Sequence, residues 1–361
     1  MPTPDPFAGL HPQPPAAEKL FGSLLRLNLV EMVLLAADRR VIQIEMPADV
    51  KYTMNSEDGH PTPSSAAAFG AGDQVTVQTQ RDSMSRYHAV RLELDKKGSR
   101  EDKAAAEESL GISLGTIMTM ENFASDGTID PVIRAARKAT FELTKSLPNF
   151  IVHQTTTRYT NGSIDLKTKG RKLDVITGNL VTENGEERFQ DMLVNGKKPK
   201  DGPERSGAWS SGEYSSIIIE VLAPRSRTAF ESKGTEIVAR RTALRYTFSV
   251  NEIHSRWNLS VSGQHYLPGY SGTIWFDEET SRVLRVEMAS EPLPKGFPME
   301  KVSTAIEYDF FPLGAAPYLL PARADVVTCT RGNGCATNQI EFSGYKKYGA
   351  ETTISFDKDP R

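Results

Sequence analysis

The sequence predicts a mainly β protein: a small β-barrel, then a larger antiparallel sheet curved into a half-barrel and plugged by helices. Three observations carry this. Apolar and polar residues alternate through much of the chain, as Ile42, Ile44 and Met46 do with Val41, Gln43 and Glu45. That period of two places the apolar side chains on one face of a strand. Asn161-Gly162, Asn184-Gly185 and Asn195-Gly196 follow one another closely, and Asn-Gly tolerates the positive φ angles of a type I′ hairpin. Clear helical periodicity is confined to two short segments of the C-terminal part.

Residues 1–19 form a Pro-rich N-terminus with Pro2, Pro4, Pro6, Pro12, Pro14 and Pro15, expected to be disordered. It lacks the basic and then apolar stretch of an export leader. Residues 20–94 read as a β module. Val75 and Val77 alternate with Thr76 and Gln78, and Val90, Leu92 and Leu94 alternate with Arg91, Glu93 and Asp95. The Gly70-Ala71-Gly72-Asp73 turn feeds one of these strands. About five short strands in this span suit a small OB-like barrel, of the oligonucleotide/oligosaccharide-binding type. Residues 95–129 form a charged linker, with Asp95, Lys96, Lys97, Arg100, Glu101, Asp102, Lys103, Glu107 and Glu108 at its start; a solvated linker and a polar helix both fit.

The half-barrel domain is expected over 130–361. Asp130-Pro131 is a helix N-cap with proline at the first helical position. Val132, Ala136, Ala139, Leu143 and Leu147 then share a face until Pro148. A second helix starts at a Ser210/Glu213 capping box and stops at Pro224. Tyr214, Ile217, Ile218, Val221 and Leu222 give it a wide apolar face. Strands take the remainder: Tyr246, Phe248 and Val250; Trp257, Leu259 and Val261; Leu284, Val286 and Met288; Ile306, Tyr308 and Phe310. Arg245, Arg256, Arg285, Glu287, Glu307 and Asp309 fall on the opposite face, so one face is dry and one wet. Roughly ten strands are many for an open sheet and favour strong curvature.

Composition excludes several functions. A net charge of -3 over 361 residues makes no case for nucleic acid, and no apolar run approaches the roughly 20 residues that span a bilayer. The Leu24–Ala37 stretch is broken by Arg26, Asn28 and Glu31. The histidines His11, His60, His88, His153, His254 and His265 are scattered, with no metal-ligand spacing, so neither metal nor cofactor is expected. Gly207-Ala-Trp-Ser-Ser-Gly212 misses the nucleophile-elbow spacing by one residue. Acidic turns such as Asp277-Glu278-Glu279 are ordinary solvated turns, so the chain reads as a non-enzyme. The two cysteines, Cys329 and Cys335, flank a short Gly-rich loop. A disulfide closing a hairpin is the simplest reading, and two reduced thiols on neighbouring strands the alternative. A disulfide would place the protein in an oxidising compartment.

One constellation has a functional version. Tyr214, Ile217, Ile218, Val221 and Leu222 of the second helix would face Trp257, Leu259, Val261, Trp275, Ile306, Tyr308 and Phe310 of the strands. The set either packs as a solid core or lines a cavity for a hydrophobic ligand.

The order of helix, hairpins, amphipathic helix and long hairpins, with the hairpin Gly272–Glu287 and its acidic turn, resembles the outer-membrane lipoprotein carrier (LolA-like) superfamily. Residues 135–152, Gly212-Glu-Tyr214 and the Cys329–Cys335 loop are similar to a group of exported bacterial proteins of no established activity. The resemblance implies a half-barrel fold, an exported protein of the periplasm or outer envelope, and a lipid or acyl-chain ligand. A cytoplasmic location is the alternative. The competing functional expectation is an envelope scaffold that docks a protein partner and has a solid core.

Overall fold

In the computed structural model, the residues described are 18–55, 61–82, 86–113, 130–162, 170–183, 186–200, 216–313, 316–332 and 334–348. The chain divides into two units: Met1–Met118 with Asn258–Leu267, and Thr119–Trp257 with Pro268–Arg361. Among the described residues no helix is long and apolar enough to cross a membrane.

The first unit contains β1 (Glu18–Leu27), β2 (Glu31–Ala36), β3 (Val41–Glu45), β4 (Lys51–Asn55), β5 (Pro61–Pro63), β6 (Gln74–Arg81) and β7 (Tyr87–Lys96). Five of these strands close on themselves. β1 pairs with β2 and β6, β2 with β3, and β6 with β7. A short parallel contact, Ile44 to Tyr87 and Glu45 to His88, joins β3 to β7 and completes the ring. This is the small closed barrel read from the alternating residues, with β4 and β5 extending it beside β7. Leu24, Met32, Leu34, Ile42, Ile44, Val75, Val77 and Leu92 fill it without solvent contact. β1 must run very close to β2: a Cβ on Gly22 would lie 2.1 Å from the Leu35 carbonyl oxygen, a distance only glycine survives.

The charged stretch after β7 is helical. The helix α1 (Arg100–Ser113) begins with a reciprocal cap in which the Asp102 carboxylate accepts from the Ser99 backbone N–H at 2.9 Å. Ala106 of α1 is buried with Leu25, Val33 and Val41 on the outer side of the barrel.

The second unit is one open sheet with every pairing antiparallel. Its strands are β8 (Phe150–Gly162), β9 (Arg171–Glu183), β10 (Glu186–Val194), β11 (Ala229–Val238), β12 (Arg241–Val250), β15 (Tyr270–Asp277), β16 (Val283–Ser290), β17 (Met299–Leu313), β18 (Ala316–Thr330) and β19 (Gly334–Lys347). The order is β10-β9-β8-β19-β18-β17-β16-β15-β12-β11. Bulges at Trp275/Phe276, Glu307/Tyr308 and Ser343/Lys346 break the register, and such bulges bend and twist a sheet. Two helices cover its dry face: α2 (Pro131–Ser146) and α3 (Ser216–Leu222). The Asp130 carboxylate caps α2, accepting from Val132 N–H at 2.8 Å.

Some sequence expectations shift. The buried stripe of α2 is Ile133, Ala136, Arg137 and Thr140, about one residue round from the stripe read by apolarity, because the helix buries an arginine. Asn161-Gly162 is not a hairpin turn: β8 runs through it, and Gly162 pairs with Cys335. Asn195 and Gly196 do take the positive φ angles 49° and 74°. Asn184-Gly185 and the Ser210/Glu213 box lie outside the described residues, while β9 and β10 pair from Glu183 and Glu186. Two further strands, β13 (Leu259–Val261) and β14 (Gln264–Tyr266), interrupt the second unit in sequence and join the first unit's sheet, His265 pairing with Val41 and Gln264 with Ile42.

Candidate functional site

The apolar set read from the sequence divides on folding. Ile218, Val221 and Leu222 of α3 join Ile306 and Tyr308 in one continuous core with Ile133 and Ala136 of α2. Val221, Leu222 and Ile306 have no exposed surface. Ile217, Trp257 and Phe310 are partly buried against the same core, and the Trp257 ring meets Tyr270 edge-on at 5.6 Å. Trp275 belongs to the same buried cluster, though charged residues flank it. Its neighbours in register are Arg245 and Arg285, whereas Ile274 pairs with Tyr246 and Val286. Its indole N–H donates to Glu236 at 3.1 Å, and the Arg285 guanidinium lies 5.4 Å from its ring. Leu259 and Val261 are absent from this core because they sit in β13 of the first unit's sheet. Tyr214 lies outside the described residues.

The dry face also carries polar groups that sequence reasoning passed over. The Arg158 guanidinium donates to both Asp174 carboxylate oxygens, at 2.7 and 2.6 Å, with Arg158 1% and Asp174 8% exposed. Gln154 donates to Thr156 at 3.1 Å beside them. The alternation Gln154, Thr156, Arg158 has strand period, but its polarity marks it as a wet face; only the pairing with β9 reveals otherwise.

Glu220 is a second buried charge. It accepts from the Arg256 backbone N–H at 2.6 Å, the Tyr270 hydroxyl at 3.2 Å and the Arg225 guanidinium at 3.2 Å. Burial nevertheless pushes its carboxyl above the ordinary carboxylate value, outweighing the three donors. Burial, and then the charge of Glu220, pushes the Tyr270 hydroxyl up as well.

Two of the cavities lined by described residues lie away from α3. One, of about 520 Å³, is bordered by Trp275, Tyr308 and the charged residues Glu236, Arg285, Glu307 and Arg323. The larger, of about 790 Å³, lies at the end of the sheet where β15 and β17 begin and β16 and β18 end. Its apolar lining comes from Ala289, Pro292, Leu293 and the Cys329–Cys335 disulfide. The two cysteines are direct partners in the β18–β19 ladder, and Lys301 faces Cys329 across β17. The Arg331 guanidinium ties the wall down, donating to the Leu293 carbonyl at 3.0 Å and the Pro294 carbonyl at 3.2 Å. The disulfide was expected from the cysteine spacing; the cavity beside it was not, because its walls come from segments far apart in sequence.

Chemistry-bearing groups are otherwise dispersed. Among the described residues no three of His, Cys, Asp and Glu gather as a metal site. His88 approaches Asp82 and Glu45, each at 3.4 Å. His153 approaches Asn179 at 3.3 Å. Burial pushes the His265 imidazole down.

No family model matches the chain. No curated protein matches it either. Among solved structures it is similar to a putative outer membrane lipoprotein-sorting protein domain from Vibrio parahaemolyticus, at 9% identity over 61% of this chain and 93% of that one, with a TM-score of 0.35. A DUF1329 family protein from Desulfovibrio piger matches at 10% identity over 62% and 95%, TM-score 0.33. A LolA superfamily protein from Nitrosomonas europaea matches at 11% identity over 60% and 93%, TM-score 0.26. One of these three is described as a LolA superfamily protein, the superfamily that the hairpin and the helix order resemble; at such low overlaps the likeness carries no functional conclusion.

Proposed function

We propose that the protein is a non-enzymatic binding protein for a hydrophobic or amphiphilic ligand such as a lipid or acyl chain, held in the cavity at the disulfide end of the second unit. The observation that carries this reading is the cavity itself. Its volume of about 790 Å³ falls within the roughly 300–1,000 Å³ of small-molecule sites, and its lining joins the apolar surface of Ala289, Pro292, Leu293 and the disulfide to polar and charged side chains. The disulfide fits an oxidising compartment, so an exported location goes with this reading.

The test is titration of the full chain with a fluorescent long-chain fatty acid, together with native mass spectrometry of protein isolated from its own compartment. One ligand per chain is expected. Ala289→Trp should fill the cavity and weaken binding by about ten-fold or more, equivalent to roughly 1.4 kcal/mol. Absence of any bound amphiphile in both measurements would overturn the reading. It would favour the competing one, an envelope interaction module that docks a protein partner.

A further inference from the structure

The same cavity carries a charge pattern that its volume does not require. Three cationic side chains, Lys295, Lys301 and Arg331, line it together with two carboxylates, Glu291 and Glu300. Arg331 donates to two backbone carbonyls, which are neutral, so its charge is left uncompensated. Glu291 accepts from the Ser271 hydroxyl at 3.3 Å. Among the described residues no carboxylate pairs with Lys295, Lys301 or Arg331. Lys301 stands beside the disulfide in the β17–β18 register, and Arg331 follows two residues after Cys329. Cationic groups therefore border the apolar surface made by the disulfide, Ala289 and Leu293.

We infer that this cavity selects amphiphiles with an anionic head group, such as a carboxylate or phosphate, through Lys295, Lys301 and Arg331, while the chain lies against the disulfide and Leu293. The inference rests on the proposed reading that the cavity holds an amphiphile. The physical reason is that ammonium and guanidinium donors make their strongest hydrogen bonds to ionised oxygens.

The experiment compares dodecyl phosphate, dodecyl maltoside and dodecyltrimethylammonium on the full chain by calorimetry, below their micellar concentrations, with inorganic phosphate as a fourth ligand. Dodecyl phosphate should bind about ten-fold tighter than the neutral maltoside, and the trimethylammonium more weakly than either. The anionic preference should shrink as salt is raised. In the double variant Lys295→Gln/Lys301→Gln, two exposed positions, the ratio of phosphate to maltoside affinity should fall towards one. Glu291→Gln/Glu300→Gln should move it the opposite way, about two- to three-fold tighter for the phosphate. Equal affinity for anionic and neutral dodecyl ligands overturns the head-group inference and leaves the amphiphile reading intact. No binding of any dodecyl ligand overturns both. Inorganic phosphate binding as tightly as dodecyl phosphate overturns the role of the chain.

Discussion

In the first unit the contact of Ile44 with Tyr87 closes a ring of five strands, so Leu34, Ile42, Val75 and Leu92 need only one another for cover. In the second unit β10 and β11 end an open sheet, and its dry face must be covered from outside the sheet. Part of the cover is apolar, from Ile133 and Ala136 of α2 and Val221 and Leu222 of α3. Elsewhere the same face carries Gln154, Thr156, Arg158 and Asp174, which satisfy one another. Closure thus gathers apolar side chains into one interior cluster, but it does not exclude charge from the unit: the first unit buries Arg40 and Asp73, as the second buries Arg158, Asp174 and Glu220. The distinction matters for function, because the larger cavity lies at an end of the open sheet.

The sharpest way to break this contrast is to remove one half of the buried pair. Asp174→Ala strands the Arg158 charge and should cost about 3–5 kcal/mol. The double replacement Arg158→Met/Asp174→Leu should recover most of that loss, since well-packed apolar residues commonly match a buried ion pair. Urea denaturation of the two variants checks both expectations. If Asp174→Ala behaved as a surface substitution, the polar part of the dry face would not be enclosed.

A smaller effect is expected at the hairpin end of the open sheet. The Cys329–Cys335 bond closes a short loop, with a sequence separation of 6. In a chain-entropy account, Cys329→Ser/Cys335→Ser should cost about 2 kcal/mol. The closed barrel has no such bond among its described residues, so reducing agent should lower the unfolding midpoint of the wild type and leave that of the double variant unchanged.

The smallest effect is a pH slope. Burial raises the Glu220 carboxyl above its ordinary value of 4.5. The folded state therefore prefers the protonated acid. This contribution is present in full below 4.5 and is lost as pH rises through the raised folded value. Glu220→Gln keeps an acceptor for the Arg256 N–H and should flatten stability against pH in that window. Denaturation midpoints across mildly acidic to neutral pH measure it, and an unchanged slope in the variant would mean another group is responsible.

Much of this architecture is local and so was legible in the sequence. Alternation in Ile42–Met46, Val75–Val77 and Tyr246–Val250 marks strands because the period of two is a property of the backbone itself. Asp130-Pro131 marks the start of α2 because a cap acts on neighbouring N–H groups. Cys329 and Cys335 are near enough in sequence for a hairpin to join them. Local pattern does not say which sheet a strand enters. Ser262 and Gly263, with φ angles of 48° and 73°, turn Leu259–Tyr266 into a separate hairpin, and its partner is Val41–Ile42, more than two hundred residues away. Nor does it show that Trp275 faces Arg285, that Arg158 meets Asp174, or that Leu293, Lys301 and Cys329 surround one cavity. The sequence alone determined most of the strands, the capped start of α2 and the closeness of the two cysteines, since each depends on residues close along the chain. Only the tertiary structure decided which faces were covered and where space was left, because burial and cavities depend on segments that meet through long-range pairing.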